Sequence, residues 1–317
     1  MSDKGGLLVA IKGWDIAPWL KRFSDLGQGR AVYDANQPFD AARITYAAVW
    51  KPAPGMLAAL PNLKVIFNLG AGVDALVLDK TLPDVPLCRI VNPDLTARMS
   101  EYVAMNALMH LRQVLFYRKA QQDKRWEMAD QPAAGAVRVG IMGMGVLGQD
   151  AAAVLMRLGF QVAGWSRSEK TGLPCPVFHG ADGLAPFLAR TDILVVLLPL
   201  TVETRHILNR NLFERLARDG ALGGPVLINA GRGGLQNEAD LIACLTHGTL
   251  KAASLDVFET EPLPASSPLW GLPNVILTPH VAADSTPGAI VQAVYDNIAR
   301  FERGEALRDV VDRRLGY

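Results

Sequence analysis

Short apolar runs separated by breaker residues divide the chain into segments that are typical of an α/β protein. In the first hundred residues, strand-like runs at 7–11, 44–49 and 64–69 alternate with segments of helical or loop character. Further apolar runs lie at 137–142, 160–165, 193–198, 226–229, 252–257 and 275–277. Helix-compatible segments lie between most of them. This alternation predicts parallel sheets with helices packed on both faces.

Two further segments predict helices. Residues 98–119 contain no Gly or Pro and carry many apolar side chains, so we expect one long, largely buried helix that could join two domains. Residues from about 287 to 303 predict the last helix of the chain. A chain of 317 residues is long enough to form two domains, each with its own core.

Three glycines with GxGxxG spacing, Gly143, Gly145 and Gly148, follow the strand predicted at 137–142. In a dinucleotide-binding unit, the first permits a tight turn, the second lets the backbone approach a pyrophosphate, and the third lets the next helix pack closely. Glycines at this spacing also occur in ordinary turns. Here a strand is predicted before them and an Ala-rich helix at 149–158 after them, so we predict a dinucleotide site.

The segment GWSRSEK at 164–170 indicates which dinucleotide is bound. About 20 residues beyond the glycines, an acidic residue would bind the ribose hydroxyls of NADH, whereas an arginine accommodates the 2′-phosphate of NADPH. Arg167 lies at this distance, GWSRS contains no carboxylate, and Ser166 and Ser168 add hydroxyl donors. A guanidinium binds phosphate through paired charge-assisted hydrogen bonds. We therefore predict NADPH as the preferred cofactor and NADH as a second one, with a solvated surface arginine as the alternative.

Composition and charge exclude several classes of function. Half of the residues are hydrophobic, 20% are charged and the net charge is +1, so no broad field indicates nucleic acid or an anionic membrane as a partner. The three cysteines are widely spaced without CxxC, which predicts neither a disulfide framework nor a zinc site. The N-terminal segment lacks the apolar core of a signal peptide, and no apolar run is long enough to span a bilayer. We expect a cytoplasmic protein without a metal site.

Charged side chains follow three of the later strands, at turns that contain glycine or proline. These side chains are Arg232 in INAGRGG, Glu261 in LDVFETEPLP and His280 in LTPHVAA. Because the carboxyl ends of parallel strands face the ligand crevice, the three could converge there. Taken singly, each is more often a packed histidine, a solvated arginine or a turn glutamate. Their occurrence after successive strands of one cofactor domain favours catalysis.

The chain resembles the D-isomer-specific 2-hydroxyacid dehydrogenases, and within them the bacterial glyoxylate/hydroxypyruvate reductase A group. The matching motifs are LGAGVD (69–74), MSEYV (99–103), GIMGMGVLG (140–148), WSRS (165–168), LLPLTVET (197–204), NAGRGG (229–234), LDVFETEPLP (255–264), SPLW (267–270) and TPH (278–280). NAGRGG departs from the more usual form of its motif but keeps the arginine. The resemblance implies two Rossmann-like, doubly wound domains with the active site in the cleft between them. Residues 1–98 and 285–317 would bind substrate, and residues 99–284 would bind NAD(P).

The resemblance implies NADPH-dependent reduction of a small 2-oxo acid such as glyoxylate or hydroxypyruvate. His280 would protonate the substrate carbonyl, because an imidazole with a pKa near ~6.5 is suited to donate a proton at neutral pH. Glu261 would orient the ring and favour its charged form, and Arg232 would bind the substrate carboxylate and polarise the carbonyl.

Further contacts with substrate and cofactor are implied in the same way. Backbone N–H groups of Ala71, Gly72 and Val73 would meet the substrate carboxylate. Trp50 and the segment around Trp126 could wall the pocket, the latter from the partner subunit of a homodimer, although large aromatic side chains more often lie in the core. Additional cofactor contacts would come from Val146, Leu147, Pro199, Thr204 and Ala230. Asp256 would either bind the nicotinamide carboxamide or serve as a buried capping carboxylate.

Two alternative functions remain open from the sequence. One is another D-2-hydroxyacid dehydrogenase, with a bulkier or phosphorylated substrate, because the volume of the pocket depends on loops. The other is a nucleotide-sensing protein of the same fold that regulates a partner. Such a binding module would not need Arg232, Glu261 and His280 together.

Overall fold

The computed structural model describes residues 4–27, 29–283 and 286–316. Its strands are β1 (Gly6–Ile11), β2 (Val32–Asp34), β3 (Ile44–Trp50), β4 (Val65–Asn68), β5 (Leu87–Cys88), β6 (Arg138–Met142), β7 (Gln161–Ser166), β8 (Val177–His179), β9 (Ile193–Val196), β10 (Val226–Asn229), β11 (Ala252–Leu255) and β12 (Val275–Leu277). Its α-helices are α1 (Ala17–Leu26), α2 (Asp74–Val77), α3 (Pro93–Leu111), α4 (Val114–Gln122), α5 (Val146–Arg157), α6 (Gly180–Ala189), α7 (Arg210–Glu214), α8 (Glu238–Thr246) and α9 (Pro287–Glu302). The chain divides into two compact units, one of residues 1–95 and 285–317 and the other of residues 96–284.

The first unit is built on a parallel five-stranded sheet in the order β2-β1-β3-β4-β5. Helices α1 and α9 cover one face, where Phe23 and Val294 pack against Leu7 and Phe67. Strand residues whose side chains point to the other face, such as Leu8, belong to a second apolar cluster. Both faces of the sheet are therefore buried, as expected for parallel strands.

The second unit is built on a parallel seven-stranded sheet in the order β12-β11-β10-β9-β6-β7-β8. Counted from β6, this is the Rossmann strand order with one further strand at the end. Val139 and Ile141 pack on one face with residues of α3 and α5. Met142 and Leu194 pack on the other face with residues of α6 and α7. The predicted α/β fold with two doubly wound units is confirmed.

The single long helix expected over residues 98–119 is wrong. Helix α3 ends at Leu111, and α4 begins at Val114. Between them Gln113 adopts the left-handed conformation, with φ of 54° and ψ of 40°, which an α-helix cannot continue through. Neither Gly nor Pro marks this break, so composition gave no sign of it.

The sequence predicted neither a metal site nor a membrane-spanning segment. Within the described residues, no group of three or more His, Cys, Asp and Glu side chains is placed to hold a metal ion. In the same part of the chain, no helix is both long enough and apolar enough to cross a membrane.

Candidate active site

The glycine loop lies where the strand order of the second unit reverses. It joins β6 to α5, and β6 pairs with both β7 and β9. In an open α/β sheet, ligands bind outside the carboxyl ends of the strands at this switch point. The loop that follows β9, residues 197–204, ends at the same edge, because all these strands are parallel.

Each glycine of the loop has a different structural requirement. Gly143 has a φ of 108°, and a Cβ there would lie 2.7 Å from the Leu197 carbonyl oxygen. A Cβ on Gly148 would lie 1.9 Å from the Gly143 carbonyl oxygen, so only glycine lets α5 pack this closely. A Cβ on Gly145 would meet no atom within 4 Å.

The space beside Gly145 therefore opens to the outside of the protein. Gly145 precedes α5, whose first residues are Val146 and Leu147. The backbone N–H groups of the first turn of a helix are not used inside the helix and attract anions. A pyrophosphate of a dinucleotide fits these requirements, because a side chain at position 145 would occupy the space that it needs.

The loop after β7 carries the residues predicted to select NADPH. Arg167 and Ser168 are exposed. Ser166 is buried, and its hydroxyl donates to the Ser168 carbonyl over 2.7 Å. A hydroxyl has one hydrogen, so Ser166 uses it inside the loop and could contact a phosphate only as an acceptor. Hydrogen bonds from the Thr201 hydroxyl and from the backbone of Glu203 itself, together with a weaker effect of the Arg167 charge, lower the pKa of Glu203.

The loop after β9 is shaped by its own side chains. The Thr204 hydroxyl donates to the Pro199 carbonyl over 2.8 Å and accepts the Thr201 N–H over 2.7 Å. Ala230 is buried directly after β10 and donates its N–H to the Val196 carbonyl. Pro199, Thr204 and Ala230 thus lie at the carboxyl ends of neighbouring strands, β9 and β10.

The structure brings His280 and Glu261 together. Nδ1 of His280 lies 3.0 Å from Oε1 and 2.8 Å from Oε2 of Glu261. The side chains are 31% and 25% exposed, respectively, so the pair is half-buried and can still meet a ligand. Glu261 also accepts the Phe258 N–H over 3.3 Å, which fixes the carboxylate against its own turn. This carboxylate–imidazole pair is the expected form of a histidine acid with an orienting partner.

Arg232 follows β10, the neighbour of β11 in the sheet. Its Nη1 donates to the Gly231 carbonyl over 2.8 Å. A Cβ on the next residue, Gly233, would lie 1.8 Å from the Phe258 carbonyl oxygen. The arginine loop is therefore packed tightly against the segment that leads to Glu261.

Asp256 is 1% exposed, and its carboxylate points into the turn that carries His280. Oδ1 accepts the Thr278 hydroxyl over 2.6 Å and the Val281 N–H over 2.9 Å, and Oδ2 accepts the Ala282 N–H over 3.0 Å. This is the geometry of a buried capping carboxylate, the second of the two roles that the sequence left open. Thr278 lies in the quoted TPH motif, but sequence reasoning gave its hydroxyl no role.

The substrate residues predicted in the first unit lie at the end of β3 and after β4. Asn68 donates from Nδ2 to the carbonyl oxygens of Gly70, over 2.8 Å, and Gly72, over 2.9 Å. Within the described part of the chain, no backbone hydrogen bond is donated by Ala71, Gly72 or Val73. Their N–H groups are therefore available to an anion.

Aromatic side chains border this turn. A Cβ on Gly70 would lie 2.3 Å from the ring of Trp50, which ends β3. Trp50 stacks on Trp14 with ring centroids 4.6 Å apart. Trp126, by contrast, has a relative exposure of 102% in the single chain, so the structure assigns it no contact with a pocket.

Comparison with known proteins places these features in a family context. The family described as "D-isomer specific 2-hydroxyacid dehydrogenase, NAD binding domain" matches residues 104–282. A protein named glyoxylate/hydroxypyruvate reductase A from Serratia proteamaculans is 42% identical over 294 residues, which cover 91% of this chain and 92% of that protein.

Solved structures are similar over nearly the whole length. An NADPH-dependent glyoxylate/hydroxypyruvate reductase from Sinorhizobium meliloti, in complex with NADP and sulfate, is 49% identical with a TM-score of 0.95, covering 99% of this chain and 100% of that one. A probable 2-hydroxyacid dehydrogenase from Rhizobium etli, in complex with NADP, HEPES and L(+)-tartaric acid, is 47% identical with a TM-score of 0.93, covering 99% of each chain.

Proposed function

The chain belongs to the D-isomer specific 2-hydroxyacid dehydrogenase family, and from this premise we propose that it reduces small 2-oxo acids with NADPH. The reactions are glyoxylate to glycolate and hydroxypyruvate to D-glycerate. The observation that carries this proposal is the His280–Glu261 pair, which lies in the same unit as the GxGxxG loop. The names of the similar proteins, which are glyoxylate/hydroxypyruvate reductases, support the choice of substrate.

The cofactor would be held by the glycine loop and by the loop after β7. Gly143, Gly145, Gly148 and the start of α5 at Val146 and Leu147 would receive the pyrophosphate. Arg167 and Ser168 would bind the 2′-phosphate, while Ser166 would shape their loop. Pro199, Thr204 and Ala230 would line the cofactor at the ends of β9 and β10. When bound, NADPH supplies the hydride that reduces the substrate carbonyl carbon.

His280 would supply the proton that the reduced carbonyl oxygen requires. Because Nδ1 is held by Glu261, Nε2–H of the imidazolium is the group that can donate. The carboxylate stabilises the positive charge of the ring before transfer and keeps the ring in one orientation. The same pair would accept the proton again when the reaction runs towards oxidation.

Arg232 would bind the substrate carboxylate through its planar fork and polarise the adjacent carbonyl. Its contact with the Gly231 carbonyl fixes one end of the guanidinium. In the first unit, the N–H groups of Ala71, Gly72 and Val73 would bind a carboxylate, and Trp50 beside them would restrict the size of the bound acid.

We also propose a homodimer in the cytoplasm. Trp126 and Met128 have relative exposures of 102% and 89%, which is unusual for large apolar side chains and is consistent with burial against a partner subunit. The three cysteines are free and buried, which fits a reducing compartment. Light scattering on the purified protein tests the dimer, and a monomeric mass would contradict it.

A substrate panel tests the function. We expect NADPH to be oxidised in the presence of glyoxylate or hydroxypyruvate, more slowly with pyruvate and phenylpyruvate, and less efficiently when NADH replaces NADPH. The measurement is kcat/KM for each acid with each cofactor at one ionic strength, because salt screens the interaction of Arg167 with phosphate. Preference for phenylpyruvate would favour a dehydrogenase with a bulkier substrate. Tight binding of NADPH without turnover of any acid would favour a nucleotide sensor.

A further inference from the structure

A chain of hydroxyl groups, buried at Tyr102 and partly buried at Thr278, leads from helix α3 to the turn that carries His280. The Tyr102 hydroxyl lies 2.9 Å from Oγ1 of Thr278, and Oγ1 of Thr278 lies 2.6 Å from Oδ1 of Asp256. An ionised carboxylate can only accept, so Thr278 donates its single hydrogen to Asp256. The Tyr102 hydroxyl must then be the donor to Thr278. Each member of the chain thus has one direction of donation.

Asp256 connects this chain to both sides of His280. Besides Thr278, its carboxylate accepts the N–H groups of Val281 and Ala282. Its backbone carbonyl accepts the N–H of His280 itself over 2.8 Å. Asp256 therefore holds the turn through hydrogen bonds with Thr278, His280, Val281 and Ala282.

The conformation of His280 explains why the turn needs these bonds. His280 has a φ of 59°, in the left-handed region that is unfavourable for a residue with a Cβ. A backbone in this region persists when the surrounding structure holds it there. The left-handed backbone places the imidazole on Glu261, at 2.8 Å.

We propose that Tyr102, Thr278 and Asp256 form a positioning relay that holds the His280 turn, so that Tyr102 and Thr278 contribute to catalysis without touching substrate or cofactor. This inference rests on the proposed function of His280 as the proton donor. Asp256 acts in the relay through the backbone of the turn. Loss of a relay hydroxyl lowers the fraction of molecules in which His280 is correctly placed, and it leaves the cofactor loop intact.

The surroundings of Tyr102 suit a permanent donor. Tyr102 is 7% exposed and Thr278 is its hydrogen-bond partner. Burial raises the pKa of Tyr102 to about 12, so that the hydroxyl keeps its proton throughout the range in which a histidine titrates. The relay therefore keeps its direction of donation whenever the proposed acid is active.

The test removes one hydroxyl at a time. Tyr102→Phe and Thr278→Val delete the two relay hydroxyls, and Thr278→Ser restores the second. Two controls delete hydroxyls that serve other elements. Tyr295→Phe removes a partly buried hydroxyl that donates to the Phe23 carbonyl over 2.6 Å, and Thr191→Val removes a buried one that donates to the Phe187 carbonyl over 2.7 Å. Neither control residue has a proposed role in the site.

Each variant is compared with the wild type in steady-state kinetics and in NMR spectra. A net hydrogen bond of ordinary strength corresponds to about a threefold to tenfold effect, so kcat with glyoxylate falls by about that factor in Tyr102→Phe and by roughly tenfold or more in Thr278→Val. KM for NADPH stays within about twofold, and Thr278→Ser recovers most of kcat. In NMR spectra, the Nδ1 proton signal of His280, which the Glu261 hydrogen bond shifts downfield, weakens or moves upfield in both variants. Both controls keep the wild-type kcat and signal.

Three results would overturn the relay. The first is a wild-type kcat and an unchanged His280 signal in Tyr102→Phe and Thr278→Val. The second is a rise in KM for NADPH with kcat preserved, which would mean that Asp256 acts on the nicotinamide. The third is an equal loss of kcat in the two controls, which would mean a general loss of stability. If the wild-type protein reduces no 2-oxo acid, the proposed function fails, and the His280 signal still decides whether the relay holds the turn.

Discussion

The carboxylate of Glu261 gives the most informative single substitution, Glu261→Gln. Glutamine keeps the length of the side chain, and its Oε1 can still accept the hydrogen bond from Nδ1 of His280. The negative charge disappears, and with it the stabilisation of the imidazolium. The variant therefore separates the charge of Glu261 from its role in orienting the ring.

The size of the effect follows from the geometry of the pair. Two oxygens lie 3.0 Å and 2.8 Å from Nδ1, and a hydrogen bond to a charged partner contributes about 1.5–3 kcal/mol. The side chains are 31% and 25% exposed, and water screens a partly exposed pair, so the lower part of this range applies. A loss of about 1.5–2 kcal/mol corresponds to a roughly tenfold to thirtyfold fall in kcat/KM near neutral pH.

The proposed proton donor loses its charged partner in Glu261→Gln, so the reduction of the 2-oxo acid should slow. The assay is NADPH oxidation with glyoxylate near neutral pH. Glu259→Gln is the matched control, because Glu259 lies 3.6 Å from another histidine, His206, which has no proposed role. A wild-type kcat/KM in Glu261→Gln, or the same fall in Glu259→Gln, would refute the assignment.

Three further predictions concern the cofactor loop, cofactor choice and acid stability. Gly145→Ala should fold with an unchanged Tm but bind NADPH more weakly, whereas Gly148→Ala should lower Tm, because only the second Cβ meets protein atoms; equal Tm losses would contradict this. Arg167→Asp should lower kcat/KM about tenfold more with NADPH than with NADH, and an equal loss would mean that Arg167 only supports its loop. Burial lowers the pKa of His110 to about 4, so the unfolded chain takes up a proton at this position before the folded chain does as pH falls. The free energy of unfolding should therefore be about 2 kcal/mol lower at about pH 5 than at about pH 7.5 through this group alone. His110→Gln should abolish this difference, and the exposed His247→Gln should leave it in place.

Much of the second unit could be predicted from residues alone. A buried parallel strand appears in the sequence as a continuous apolar run. The GxGxxG spacing marks positions where a Cβ would clash with backbone atoms, as at Gly143 and Gly148. Both signals are local in sequence. The adjacency of Glu261 and His280 was also predictable, because successive parallel strands end at one edge of the sheet.

Other features depend on contacts between distant residues or on very short segments. Strands β2, β5 and β8 contain only three, two and three residues, too few for a periodic pattern. The break at Gln113 is a backbone conformation that this residue type does not signal. Asp256 could be placed at a strand end, but whether its carboxylate faces a ligand or the His280 turn depends on Thr278, Val281 and Ala282, which lie beyond the next strand.

The central claim is that His280 donates the proton in an NADPH-dependent reduction. It is tested most directly by measuring, in one preparation of His280→Ala, both the rate of NADPH oxidation with glyoxylate and the affinity for NADPH. We predict that the rate falls about 10²–10⁴-fold, as is typical when a general acid is removed, while the Kd for NADPH changes little, because the cofactor loops are untouched. A rate close to that of the wild type would contradict the claim, and so would a loss of activity explained entirely by weaker NADPH binding.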